Sequence, residues 1–189
     1  TTANTFVATV GAINEVGAKI IFVDCDNTFC MDTNQVEAKI TSKTKAIVPV
    51  HFTGYMTDMP ELLKISKKYK IPIIEDACQS ILGEINNKKA GTWGLTGAFS
   101  LHPLKNINVW SDGGVITTNK QSIYNKLLLL RNHGLKNRDE VEILGFNSRL
   151  DTFQAVVGNW LLPKANYIAS KRISNAKYLD KNLKTIKQI

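Results

Sequence analysis

Three short runs limit the fold of this chain more than any other feature: Lys19–Asp24 (KIIFVD), Ala46–Val50 (AIVPV) and Ile71–Glu75 (IPIIE). Each is rich in β-branched residues and apolar on both faces, so neither side of a strand made from it can face water. Such strands belong to parallel sheets, whose crossover connections lay helices over both faces. Helical runs occur where the crossovers require them. Val7–Val16 is one, stopped by Gly17. Pro60–Tyr69 is another, with Leu62, Leu63 and Ile65 set against Lys64, Lys67 and Lys68, and Pro60 suited to a first helical turn. Gly97–Ser100 and Gly114–Thr118 read as two further short strands, and Gln121–Asn132 as a further helix. The expected class is α/β, a three-layer αβα domain around a mostly parallel central sheet.

From about Asp151 the pattern becomes continuously helical, with Pro163 as a kink or break. The expected division is a large domain over residues 1–162 and the start of a second, smaller domain over residues 163–189. The chain opens at Thr1 without a methionine and closes at Ile189 inside a helical pattern. It is therefore expected to be a segment of a longer protein, with the domain incomplete at both ends.

Composition enters mainly by what it excludes. A hydrophobic content of 43% with 21% charged residues is ordinary for a soluble domain. No apolar run approaches a membrane span, and the first residues lack a signal-peptide pattern. The net charge of +8 raises the question of a polyanion partner. Its distribution answers it: seven basic residues from Lys164 to Lys187 face a single acid, Asp180, along an amphipathic pattern of Ile168, Ile173, Ala176, Leu179, Leu183 and Ile186. That is the signature of a helix with a solvated basic face, so no nucleic-acid or membrane partner is expected. Cys25, Cys30 and Cys78 are scattered, without Cys-x-x-Cys spacing or neighbouring histidines. They read as reduced thiols in a cytoplasmic protein, with no metal site.

Ligands of open α/β sheets collect at the carboxyl ends of the strands, where Asp76 and Ser100 fall. Lys105 follows in Ser100-Leu101-His102-Pro103-Leu104-Lys105-Asn106, with Asp112-Gly113-Gly114 beyond it. A strand-end carboxylate, a hydroxyl and a lysine in a constrained loop are what a pyridoxal phosphate site requires. The lysine takes the cofactor covalently, the hydroxyl holds its phosphate, and the carboxylate keeps its ring nitrogen protonated.

The order of short motifs carries a resemblance along nearly the whole chain. Thr5-Phe6-Val7-Ala8-Thr9, Pro49-Val50-His51, Glu75-Asp76-Ala77-Cys78-Gln79, Phe99-Ser100 and Lys105-Asn106 come first. Gly113-Gly114, Arg131-Asn132-His133-Gly134 and Gly145-Phe146-Asn147-Ser148-Arg149-Leu150-Asp151 follow. In this the chain resembles the DegT/DnrJ/EryC1/StrS sugar aminotransferases, a family of fold-type I pyridoxal phosphate enzymes. The resemblance implies Lys105 as the cofactor-bearing lysine and proton shuttle, Asp76 at the ring nitrogen and Gln79 at the phenolic oxygen. It further implies Ser100 at the phosphate, Phe6 stacked on the ring, and Asn147 reaching the phosphate of a partner subunit. A homodimer with shared sites follows from that last role.

The implied reaction is transfer of an amino group, usually from glutamate, to a nucleotide-linked keto sugar, in making an amino sugar for surface polysaccharide or a glycosylated metabolite. Many members carry Tyr-Pro-Gly-Lys where this chain has His102-Pro103-Leu104-Lys105, and His102 is read as structural. A dehydratase branch has histidine in place of the lysine, and Lys105 argues against it. Amination of a cyclitol and a non-catalytic pyridoxal phosphate-binding regulator are the remaining alternatives. The Asn-Ser-Arg-Leu-Asp form resembles members that aminate C3. Arg149 and Asp151 have a plainer reading as a local salt bridge, with Asp151 the N-cap of the following helix. The family's small-residue phosphate-binding segment is expected before Thr1, and most of its C-terminal domain after Ile189.

Overall fold

A computed structural model describes residues 1–184 and 186; the terminal basic pattern at Lys187 lies outside the described residues. Helix α1 spans Val7–Glu15, with Gly17 just past its end in the left-handed region at φ 69°. A 3-10 turn at Thr33–Gln35 leads into α2, Val36–Lys39. Helix α3, Met59–Tyr69, has Pro60 in its first turn, and the Asp58 side chain caps it by accepting from Glu61 N at 3.0 Å. Strands β1 (Ile74–Asp76), β2 (Glu84–Ile85), β3 (Lys88–Lys89), β4 (Thr96–Ser100) and β5 (Gly114–Thr117) follow, then α4 (Gln121–Leu130), α5 (Thr152–Leu161) and α6 (Ala165–Leu183).

The sheet is mixed and mostly parallel. β1 runs parallel to β4, pairing Ile74 with Thr96 and Asp76 with Ala98, and β5 closes against β4 in antiparallel register from Ser100–Gly114 to Gly97–Thr117. Parallel bridges Ile47–Ile73 and Val50–Asp76 add the 46–50 segment beside β1, and a parallel bridge Thr2–Val23 ties in the segment ending at Asp24. Here the structure departs from the expected strands. Lys19–Asp24 and Ala46–Val50 join through single bridges rather than continuous ladders. The physical reason lies in Thr1, Thr2 and Pro49. Proline has no N–H to offer, Val50 N donates to Thr2 Oγ1 (3.3 Å), and Thr1 Oγ1 donates to Val48 O (2.8 Å). Hydroxyls thus replace backbone partners along this edge. Thr1–Ala3 joins the sheet through Ala3 N to Val23 O and Val23 N to Thr1 O, a role its short polar sequence does not announce.

Two apolar clusters fix the layers. On one side, Met59, Leu62 and Ile65 of α3 pack on Val23, Ile47, Ile71 and Ile73, with Met31 and Val36. The lysines of α3 stay outside, as the periodicity requires. On the other side, Leu101, Ile107 and Val109 from the stretch after β4 pack with Ile81, Leu150, and Leu161, Ala165 and Ile168 of α5 and α6. Burial of each such side chain contributes about 1.5–3 kcal/mol, so the loop carrying Lys105 is anchored on both flanks.

The break at Pro163 is a 3-10 turn, Leu162–Lys164, between α5 and α6. Asp151 caps α5: its Oδ1 accepts from Phe153 N at 3.0 Å, and Gln154 Oε1 accepts from Asp151 N at 3.2 Å. Arg149 takes different partners from the acid considered for it, donating to Asn147 Oδ1 (3.2 Å) and Asn132 Oδ1 (3.0 Å). The basic residues of α6 are exposed, and Lys164 in the turn before it is half-buried. Among the described residues, no helix is long and apolar enough to cross a membrane.

Candidate active site

The stretch His102-Pro103-Leu104-Lys105 is a β-turn with proline at its second position, where a fixed φ suits it. Lys105 N donates to His102 O at 2.8 Å and Leu104 N to His102 Nδ1 at 3.2 Å. His102 N in turn donates to Ser100 Oγ at 3.2 Å. His102 is therefore the brace of the turn that presents Lys105. Gly113 is required opposite it. A Cβ there would lie 2.8 Å from Val109 and 2.9 Å from Leu150, inside the cluster that anchors the loop.

Lys105 opens onto a cavity of about 230 Å³ at the carboxyl ends of β1 and β4, lined also by Thr53, Cys78, Gln79, Ser100 and Arg172. Lys105 is half-buried. Gln79 Oε1 accepts from Thr53 N at 3.3 Å, which leaves the Gln79 Nε2 hydrogens available as donors. Thr53 makes that bond from the left-handed region, φ 51°.

Asp76 ends β1 beside this cavity. Its backbone is held by Pro49 O (2.9 Å) and by His51 N (3.0 Å). Its carboxylate accepts from Cys78 N through Oδ1 (3.1 Å) and from Thr9 Oγ1 through Oδ2 (2.6 Å). Burial, followed by the Asp76 charge, pushes the Cys78 thiol up to about 12, while Lys105 pulls it the other way. Asp76, Cys78 and Lys105 thus share one electrostatic neighbourhood.

Of the residues singled out in the sequence, Gln79, Ser100 and Lys105 meet in the cavity and Asp76 stands at its strand end. Phe6 and Asn147 do not line it. Phe6 is the N-cap residue of α1 and 69% exposed. Asn147 is exposed, bridged to Asn132 in a hairpin that needs Gly134, where φ is 73° and a Cβ would fall 1.6 Å from Ile143 O. Sequence reasoning missed Thr9, Thr53 and Arg172. Thr9 sat inside a recognised motif, whereas Arg172 carried no signal beyond the basic face of its helix.

Behind β1 lies a buried polar knot. Glu75 is fully buried and accepts from Trp93 N (2.7 Å) and Gly94 N (2.7 Å) on Oε1, and from Gly91 N (2.8 Å) and His51 Nε2 (3.1 Å) on Oε2. His51 Nδ1 accepts from Thr57 N at 3.3 Å, which selects the tautomer with the proton on Nε2. Burial raises the Glu75 carboxyl, but hydrogen bonds from His51, Gly94 and Gly91 outweigh it and hold the pKa below the usual value. The loop so held packs onto the site: a Cβ on Gly91 would lie 2.4 Å from the ring of Phe99, which lines the cavity.

The cavity thus gathers a lysine, a hydroxyl and an amide at the strand ends of an α/β sheet, with the Asp76 carboxylate beside it. The DegT/DnrJ/EryC1/StrS aminotransferase family matches residues 1–189, and the chain belongs to that family. It is 42% identical over 93% of its length to a pleiotropic regulatory protein of Geobacillus stearothermophilus, covering 48% of that protein. It is 43% identical over 81% of its length to a UDP-N-acetyl-3-dehydro-alpha-D-glucosamine 3-aminotransferase of Acidithiobacillus ferrooxidans, covering 42% of it. The solved structure of Helicobacter pylori PseC, an aminotransferase involved in the biosynthesis of pseudoaminic acid, superposes with a TM-score of 0.91 at 32% identity, over 95% of this chain and 49% of that one. The chain spans about half the length of the curated relatives it matches.

Proposed function

We propose that the protein is a pyridoxal phosphate-dependent aminotransferase acting on a nucleotide-linked keto sugar, with an amino acid, glutamate in the first instance, as donor. The observation that carries the reading is the meeting of Lys105, Ser100 and Gln79 around one cavity, with Asp76 at the strand end beside it. The donor set suits the cofactor. Ser100 offers a hydroxyl to a phosphate, Gln79 offers Nε2 to a phenolic oxygen, and Asp76 keeps lone pairs for a protonated ring nitrogen. When bound, the cofactor supplies the electron sink that lets a carbon-bound proton leave. Lys105 would anchor it covalently, and once released its amine would accept and return that proton. In this reading Phe6 stacks on the cofactor ring, and Asn147 serves the phosphate of the second subunit in a cytoplasmic homodimer.

Residues 1–162 form the cofactor domain in this reading, and residues 163–189 begin the smaller domain. The relative from Acidithiobacillus supports a sugar aminated at C3, in keeping with the Asn-Ser-Arg-Leu-Asp motif. The name of the Geobacillus relative favours a second reading, a regulator that holds the cofactor without turnover. One assay separates the two. The full-length protein is incubated with glutamate and a panel of nucleotide-linked 3-keto and 4-keto sugars. Formation of an amino sugar in step with 2-oxoglutarate supports the enzyme. Cofactor binding with no product from any ketone contradicts it and leaves the regulator.

A further inference from the structure

Asp76 is held by a hydroxyl relay from the two ends of the Thr5-Phe6-Val7-Ala8-Thr9 run. Thr9 Oγ1 lies 2.6 Å from Asp76 Oδ2 and 2.8 Å from Thr5 Oγ1. A carboxylate only accepts, so the Thr9 hydrogen goes to Asp76, and Thr9 in turn accepts from Thr5. The direction is Thr5 to Thr9 to Asp76. Thr5 precedes the N-cap of α1 and Thr9 lies in its first turn, and the two hydroxyls meet across the helix start. Thr9 is only 8% exposed, and its β-branched side chain has few rotamers to choose from inside a helix. The helix start gains nothing from these hydroxyls. Its N-cap is Phe6, which makes no side-chain cap, and the Thr5 hydroxyl beside it turns to Thr9 rather than to the free amides.

The second carboxylate oxygen, Oδ1, is taken by Cys78 N at 3.1 Å. With one donor on each oxygen, the carboxylate plane cannot turn about its last bond without breaking a charge-assisted hydrogen bond. Each oxygen still has lone-pair capacity for one further donor. We propose that Thr9, supported by Thr5, is a positioning residue for Asp76: it fixes the carboxylate plane so that a free lone pair faces the cofactor's ring nitrogen. The role rests on the reading that Asp76 meets that nitrogen.

The test compares two ligands on the full-length protein carrying Lys105→Ala, so that binding is noncovalent. One is pyridoxal phosphate; the other is the analogue in which the ring nitrogen is replaced by carbon. The proteins differ only in carrying Thr9, Thr9→Val or Thr9→Ser. Thr9→Val should weaken pyridoxal phosphate about tenfold or more, the scale of one hydrogen bond to a charged group. It should leave the analogue within about twofold, because the analogue has no N–H to misalign. Thr9→Ser, which keeps the hydroxyl, should restore the cofactor's affinity. Equal loss for both ligands, or no loss for either, overturns the proposal. If Thr9→Val does not fold, Thr5→Val at the outer end of the relay takes its place, with a loss of about threefold on the cofactor alone. If the Thr9 protein binds the two ligands equally, Asp76 does not meet the ring nitrogen, and the reading of the site fails along with the relay.

Discussion

Glu75→Gln is the substitution whose cost can be worked most directly from the structure. The carboxylate accepts four hydrogen bonds, two on each oxygen, from Trp93, Gly94, Gly91 and His51. An amide has one oxygen, so whichever way it turns, two of those donors face an NH2 group. At about 1.5–3 kcal/mol for each bond to a charged group, the loss is about 3–6 kcal/mol. With urea slopes of about 1–3 kcal/mol per molar, the unfolding midpoint at pH 7 should fall by at least about 1 M. The pH dependence has a definite sign. The folded Glu75 pKa lies below its ordinary value of 4.5, so its stabilisation is present above pH 4.5 and disappears as pH falls through the folded pKa. The gap between wild type and Glu75→Gln should therefore be widest near neutrality and narrow below pH 4.5. A neutral-pH difference under about 1 kcal/mol, or a gap that widens on acidification, would refute the reasoning.

Cys78 should react slowly with iodoacetamide at pH 8, about a hundredfold or more below free glutathione, because a thiol at about 12 holds almost no thiolate there. Peptide mass spectrometry gives the rate, and glutathione-like reactivity would show that the thiol is neither buried nor opposed by Asp76. The shared site is tested by mixing inactive Lys105→Ala and Asn147→Asp subunits under exchange. If Asn147 serves the partner, one site of each heterodimer carries both defects and the other carries none, and about a quarter of wild-type activity returns. If Asn147 serves its own chain, mixing restores nothing.

The sequence made the layers and most of the candidate site's lining legible because both depend on local pattern. The two-faced apolar run at Ile71–Glu75 became β1 and its parallel bridges, and the spacing of Leu62 and Ile65 placed α3. The chemistry-bearing types at the ends of β1 and β4 came together around one cavity, as strand ends of one sheet must. What stayed hidden depends on partners far along the chain. Thr1–Ala3 joins the sheet only because Val23, Val48 and Val50 lie beside it. Thr9 meets Asp76 across 67 residues. Glu75 reads as one more acid in a motif, yet its burial beside His51 and three backbone amides is a property of the assembled fold. Arg172 looked like any cation of a wet helix face until the turn at Leu162–Lys164 aimed α6 back toward the cavity.

The central claim is that Lys105 carries the cofactor, and borohydride reduction tests it most directly. The full-length protein should be yellow, lose that band on reduction, and yield one peptide in which the pyridoxyl group sits on Lys105. Lys105→Ala should lack the band and the adduct while still binding the cofactor noncovalently through Asp76 and the phosphate contacts. A reduced adduct on any other lysine, or an unchanged band in Lys105→Ala, would contradict the account.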